Sequence, residues 1–209
     1  MNTVPPHLPR FAVLEALPEG YQTARQITID SQRTLVWLNV VGLGLMIGAI
    51  FAYNALYQLM QRVGLAQGVN PLAGADPLVI ALLTLPALFL MLSVHELIHG
   101  LMFQFFGAKP RYGFDLKKGV AFAAADRYYL TRDAYLIVGL APLVLITLGT
   151  LALMTMTSGE LNTLIALVGA ANVGGCVGDL WFFRICHRYP PDLLVRDFGD
   201  GAELYARTT

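Results

Sequence analysis

Residues 78–106 read LVIALLTLPALFLMLSVHELIHGLMFQFF. A helix needs about 20 apolar residues to cross the roughly 30 Å hydrocarbon core of a bilayer. This stretch exceeds that length, and its only charged or imidazole side chains, His95, Glu96 and His99, fall in its second half. Three further stretches, 35–57, 134–156 and 161–183, are as long and as apolar. Of the whole chain 56% is hydrophobic and 13% charged, against roughly 25% charged in an ordinary soluble domain. The expected fold is therefore an all-α integral membrane protein with about four transmembrane helices. Pro86 and Pro142 lie inside the second and third stretches, where neighbouring helices can compensate for a lost backbone bond. Gly44 with Gly48, and Gly174 with Gly178, have the small-xxx-small spacing that lets helices approach closely in lipid.

The charges between the stretches predict an orientation. Arg10, Arg25 and Arg33 precede the first stretch. Lys109, Arg111, Lys117, Lys118, Arg127 and Arg132 separate the second from the third, and Arg184, Arg188, Arg196 and Arg207 follow the fourth. Of lysine and arginine, the other two connections carry only Arg62. The positive-inside rule then puts both termini and the 107–133 segment in the cytoplasm. The domain organisation expected is a cytoplasmic segment over 1–34, a four-helix membrane domain over 35–185 and a cytoplasmic tail over 186–209. The formal net charge is zero, which gives no reason to expect nucleic acid as a partner. Cys176 and Cys186 are too sparse for a disulfide framework. The first 34 residues are polar, with no apolar core of a signal peptide; this fits a prokaryotic cytoplasmic membrane.

Within the four stretches the Asp, Glu, Lys, Arg and His residues number only His95, Glu96, His99 and Asp179. Each costs roughly 2.5–3.5 kcal/mol at a bilayer centre, so such residues are candidates for function. A bound zinc ion, worth about 10–16 kcal/mol in small peptides, would offset the burial of all four. The first three form the run HELIH. Residues four apart share a helix face, so both imidazoles can address one ion. Glu96 sits about 100° around from His95, which places its carboxylate beside the metal. There it can take a proton from a water whose pKa zinc lowers towards 7, and pass it to a leaving amine. Two histidines packed in a helix core are the plainer alternative.

A catalytic zinc usually has three protein ligands and an open position. Under the expected topology the second and fourth stretches run in the same direction. His95 and Asp179 each lie about 26 Å along theirs at 1.5 Å per residue, near the cytoplasmic edge. That equal depth nominates Asp179 as third ligand. Its alternative is a carboxylate paired with Arg184 or capping a helix. Cys176 is a possible softer ligand or a small packing residue, while His187 and His7 read as surface residues. The segment after HELIH has two β-prone runs around Lys117-Lys118-Gly119. It reads either as a hairpin able to bind an extended peptide by strand addition, or as a loop whose cations meet anionic headgroups. Asn172, seven residues before Asp179, shares its face on one continuous helix. It either donates to a substrate carbonyl or bonds to a neighbouring helix.

His95-Glu-Leu-Ile-His99-Gly100 in a membrane helix, the Gly107-Ala-Lys-Pro-Arg-Tyr-Gly-Phe114 run and Asn172 with Gly178-Asp179 together resemble the zincin membrane peptidases. These small integral membrane proteins, largely a domain without assigned function, are similar in layout to the site-2 class of intramembrane metalloproteases. The resemblance extends to Leu17-Pro-Glu-Gly-Tyr21 and Leu140-Ala-Pro142. It implies a zinc peptidase with His95, His99 and Asp179 as ligands and Glu96 as catalytic base. It departs from the site-2 pattern at the third ligand: that class carries Leu-Asp-Gly, and here the run is Val177-Gly178-Asp179-Leu180.

The expected function is a zinc metalloendopeptidase in the membrane. It would cleave membrane or membrane-proximal polypeptides near the cytoplasmic face, with zinc and Asn172 stabilising the oxyanion. Two other readings fit the same residues. A divalent-metal transporter also keeps histidines and carboxylates within its spans, and an inactive membrane scaffold could retain the metal site for stability. Oligomeric state and substrate identity have no signature in the sequence.

Overall fold

The computed structural model describes residues 8–29, 31–66, 68–115, 120–199 and 201–208. In chain order the elements are β1 (Val13–Leu14), β2 (Tyr21–Thr28), α1 (Gln32–Arg62), α2 (Pro77–Phe105), β3 (Arg111–Asp115) and β4 (Val120–Ala124). They continue with β5 (Tyr129–Thr131), α3 (Arg132–Met156), α4 (Gly159–Gly175), α5 (Val177–Cys186), β6 (Leu194–Asp197) and β7 (Gly201–Arg207). The elements fall into two compact units. One comprises Met1–Leu35, Glu96–Ala141 and Asp179–Thr209, the other Val36–His95 and Pro142–Gly178.

The helices follow from the long apolar runs. Four are long and apolar enough to cross a membrane: Gln32–Arg62, Pro77–Phe105, Arg132–Met156 and the pair Gly159–Cys186. Each contains nearly all of one expected stretch. None of the most apolar part of α2 is buried, and Phe89 and Phe105 are 72% and 78% exposed. Rings that open to water would forfeit their transfer free energy, whereas an apolar solvent accommodates them. The fourth stretch is not one regular helix. Cys176 has φ −68° and ψ 2° and ends α4 by donating its N–H to the Asn172 carbonyl, and α5 begins at the next residue. The seven-residue spacing from Asn172 to Asp179 therefore crosses a break.

The expectation of an all-α protein is overturned by a five-stranded antiparallel sheet, ordered β1-β5-β6-β7-β2, and a separate two-stranded sheet, β3-β4. The reason is the distance between partners. β2 pairs with β7 over Tyr21↔Arg207 to Thr28↔Gly201, from opposite ends of the chain, with a register shift between Thr23 and Arg25. Polar, largely exposed β2 shows no apolar alternation of its own, so only its partner makes it a strand. The hairpin expected after HELIH is present. β3 and β4 pair from Arg111↔Ala124 to Asp115↔Val120, while its Lys117-Lys118-Gly119 turn lies outside the described residues.

The sheet-bearing unit has a core of the soluble kind, with Leu130, Ala134, Leu193, Val195 and Leu204 packed with Phe103 and Val138. All but the last two are fully inaccessible, and those two are nearly so. The helical unit is held differently. Tyr53, Met154 and Ala170 form a small cluster with Met46, Tyr57 and Ile165, and the α1 and α4 backbones approach at glycines. A Cβ on Gly42 would lie 2.8 Å from the Gly174 carbonyl oxygen, and one on Gly174 would lie 2.7 Å from the Gly42 oxygen. Gly44, Gly48 and Gly178, picked out by spacing, would meet nothing within 4 Å. A contact of this kind is set by which helix face meets the neighbour, not by spacing alone.

Gly42→Ala is accordingly expected to lower thermal stability in detergent by about 1–3 kcal/mol, because its methyl group meets backbone and not a movable side chain. Gly44→Ala is the comparison: it meets nothing, improves helix propensity and should leave stability unchanged or raise it by up to about 1 kcal/mol. Equal effects in unfolding scans of the two variants would remove the glycine contact as a cause.

Candidate metal centre

His95 and His99 occupy one face of α2, one turn apart, and both are buried, at 7% and 8% exposed. Each has its Nδ1 engaged by an oxygen. His95 Nδ1 lies 2.9 Å from Asn172 Oδ1, and His99 Nδ1 lies 3.0 Å from the Val138 carbonyl oxygen. A backbone carbonyl can only accept, so His99 carries its hydrogen on Nδ1. The Asn172 amide is fixed by the same logic: its Nδ2 donates to the Pro142 carbonyl at 3.4 Å, which turns Oδ1 towards His95. Both rings are thereby held with Nδ1 turned to an acceptor, which leaves Nε2 as the nitrogen that would ligate a metal.

Pro142 explains why the Val138 carbonyl is there to be used. In a regular helix the carbonyl of residue 138 accepts the N–H of residue 142, and proline has none. The acceptor that the helix cannot satisfy serves His99 instead.

Asp179 stands in the first turn of α5, where the positive end of the helix favours a carboxylate. Its Oδ1 is 3.4 Å from His99 Nε2. Among the described residues, the side chains able to hold a metal as a group are His95, His99 and Asp179. Two imidazoles and a carboxylate are a donor set that zinc accepts, and three protein ligands leave a position open. The break at Cys176 is what allows Asp179 to start a new helix. Cys176 itself is fully buried, with its sulfur 4.0 Å from His95 Nδ1, the nitrogen already bonded to Asn172. Glu96 follows His95 on α2 and is partly buried.

Gly100, the residue after His99, is buried because the hairpin lies on it. A Cβ there would collide with the hydroxyl and ring of Tyr112 on β3. The hairpin is thus seated on α2 one residue beyond the histidine pair. Arg111 pairs with Asp126 at its base, 3.1 Å apart. His187 is exposed and stacks on Phe183 with centroids 5.5 Å apart, whereas His7 lies outside the described residues.

Sequence reasoning missed the Val138 carbonyl, although Pro142 four residues later was the available signal. It also missed Tyr135 and Asp197, which are hydrogen-bonded to each other near Asp179 in the sheet-bearing unit. A tyrosine at the start of an apolar run and an aspartate in a polar tail carry no motif.

No curated protein and no solved structure matches the chain. One family model does, that of the family described as Putative zincin peptidase, over residues 88–194. The matched stretch includes both histidines, the hairpin, Asn172 and Asp179. It spans half of the 209 residues, and the chain belongs to that family.

Proposed function

We propose that the protein is a membrane-embedded zinc metallopeptidase that hydrolyses peptide bonds of membrane or membrane-proximal polypeptides near the cytoplasmic face. The observation that carries this reading is the matched fixing of the two imidazoles. Core histidines without a ligand need no common tautomer, and here both turn Nδ1 to an oxygen and Nε2 away from it. The carboxylate 3.4 Å from His99 Nε2 and the membership of a zincin family support it. The four apolar helices and the clustering of lysine and arginine in alternate connections support the membrane and the orientation, with both termini in the cytoplasm.

His95, His99 and Asp179 would hold the ion. Zinc, when bound, polarises the scissile carbonyl and acidifies water at the site. Glu96 takes the proton from the attacking water and returns it to the leaving amine, a role its place beside His95 on α2 permits. Asn172 is bonded through its amide to His95 and Pro142. We therefore assign it the orientation of His95 in place of a contact with the oxyanion. The hairpin seated on Gly100 offers the edge of an extended strand to a polypeptide, which would add main-chain hydrogen bonds without regard to side-chain identity.

Elemental analysis of detergent-purified protein should find about one zinc per chain, and His95→Ala and Asp179→Ala should each lose it. Wild-type protein without zinc would end the peptidase reading. Glu96→Gln is expected to keep the metal while hydrolysis of casein or of a reconstituted single-span polypeptide falls roughly 10²–10⁴-fold. Turnover at the wild-type rate in that variant would take the base role from Glu96. Hydrolysis absent from zinc-loaded wild type on every polypeptide offered would favour a scaffold. Pro142→Ala returns an N–H that competes for the Val138 carbonyl. It should weaken zinc binding about tenfold in a chelator competition without lowering the melting temperature; unchanged affinity would show that the proline does not serve His99.

A further inference from the structure

Asp197 is the last residue of β6 and lies beyond the stretch matched by the family model. Both of its carboxylate oxygens are engaged: the Tyr135 hydroxyl donates to Oδ2 at 2.8 Å, and the Gly199 N–H donates to Oδ1 at 2.8 Å. Gly199 makes the second bond with φ +101°, a conformation that side chains other than hydrogen strain. Tyr135, in the first turn of α3, is 6% exposed. With its hydroxyl hydrogen given to Asp197, its oxygen lone pairs remain as acceptors. Tyr135 also lines a cavity of about 20 Å³ together with Leu136, Gly139, Asp179, Phe182 and Phe183. A single water needs roughly 10–15 Å³ and two or more polar partners, and Tyr135 and Asp179 are the residues with polar side chains that line this cavity.

Asp197 also lies within electrostatic reach of the proposed ligands. Burial pushes its carboxyl up to about 6. The Tyr135 and Gly199 hydrogen bonds and the nearby His99 pull it back, and the charge of Asp179 raises it further. A carboxylate kept at this depth with both oxygens occupied costs stability, so a role for it elsewhere in the unit is a reasonable demand.

We propose that Asp197 is a positioning residue for the metal centre: it fixes the Tyr135 hydroxyl so that, through one water in this cavity, Asp179 is held with its carboxylate facing the ion. This rests on the zinc reading above and adds the carboxy-terminal sheet to the site. Groups that orient a metal ligand from behind typically change metal affinity 10–100-fold when removed.

The test is zinc affinity of the full-length protein in detergent, by competition with a chromophoric chelator, for wild type, Asp197→Asn, Tyr135→Phe, the double variant and Asp197→Glu. The expected result is a 10–100-fold weaker Kd in each single variant and no further loss in the double, because the two act in series. Asp197→Glu should recover part of the loss. Wild type that binds zinc beside single variants within twofold of it overturns the positioning role and leaves the zinc reading standing. Losses that multiply in the double variant also overturn it. Wild type without zinc removes both. Melting of the metal-free proteins separates a structural role: a lower melting temperature with unchanged Kd counts against the proposal. Tyr135→Phe keeps the buried ring, so the comparison survives a poorly folding Asp197 variant.

Discussion

The fixing of two imidazole Nδ1 atoms is the constraint on which the site depends. An i, i+4 pair on a helix brings two histidines to one face but leaves each ring two tautomers and a range of orientations. Asn172 and the Val138 carbonyl remove that freedom. Each of these acceptors is in turn produced by something else. Asn172 is held at its other end by the Pro142 carbonyl, and Val138 has its carbonyl to give because Pro142 cannot donate to it. One proline in α3 therefore stands behind both histidines, through its missing hydrogen for one and its carbonyl oxygen for the other.

The two units are stabilised in different ways. The sheet-bearing unit excludes solvent from Leu130, Leu193, Val195 and Leu204, and burial of that apolar area is a force that water supplies. In the helical unit the apolar side chains largely face outwards. Its contacts are glycine backbone against glycine backbone and a small cluster around Tyr53 and Met154. Close approach and dispersion hold helices together where the surrounding medium is as apolar as the side chains. The difference in packing follows the difference in the solvent each unit is suited to.

How much was legible in the sequence depended on how local each signal was. HELIH and the four apolar runs are contiguous, and each run is helical, the fourth in two pieces. The β3-β4 hairpin is also local and was readable, apart from its turn. The five-stranded sheet was not, because polar β2 becomes a strand only by pairing with β7 at the other end of the chain. The glycine contact was legible in kind but not in place: spacing favoured Gly44 and Gly48, whereas the face of α1 that meets α4 carries Gly42. The break at Cys176 had a marker in the preceding Gly174-Gly175 pair, of which only Gly174 was used, and only for its spacing to Gly178. Asp179 was reached by depth, an argument indifferent to that break, and Asn172 was identified without the His95 partner that occupies it.

The pairing of β2 with β7 has a consequence for the order in which the protein is made. Ribosomes release a chain from its amino end at about 5–20 residues per second, so β2 emerges well before its partner β7. Until β7 arrives, an edge of β2 has no cognate strand, and the contact that closes the sheet is among the most distant the chain can make. The histidine helix and its hairpin are complete well before that moment. The nascent polypeptide thus carries its histidine motif before the sheet that finishes the unit can close, and the arrival of β7 is the event that permits assembly.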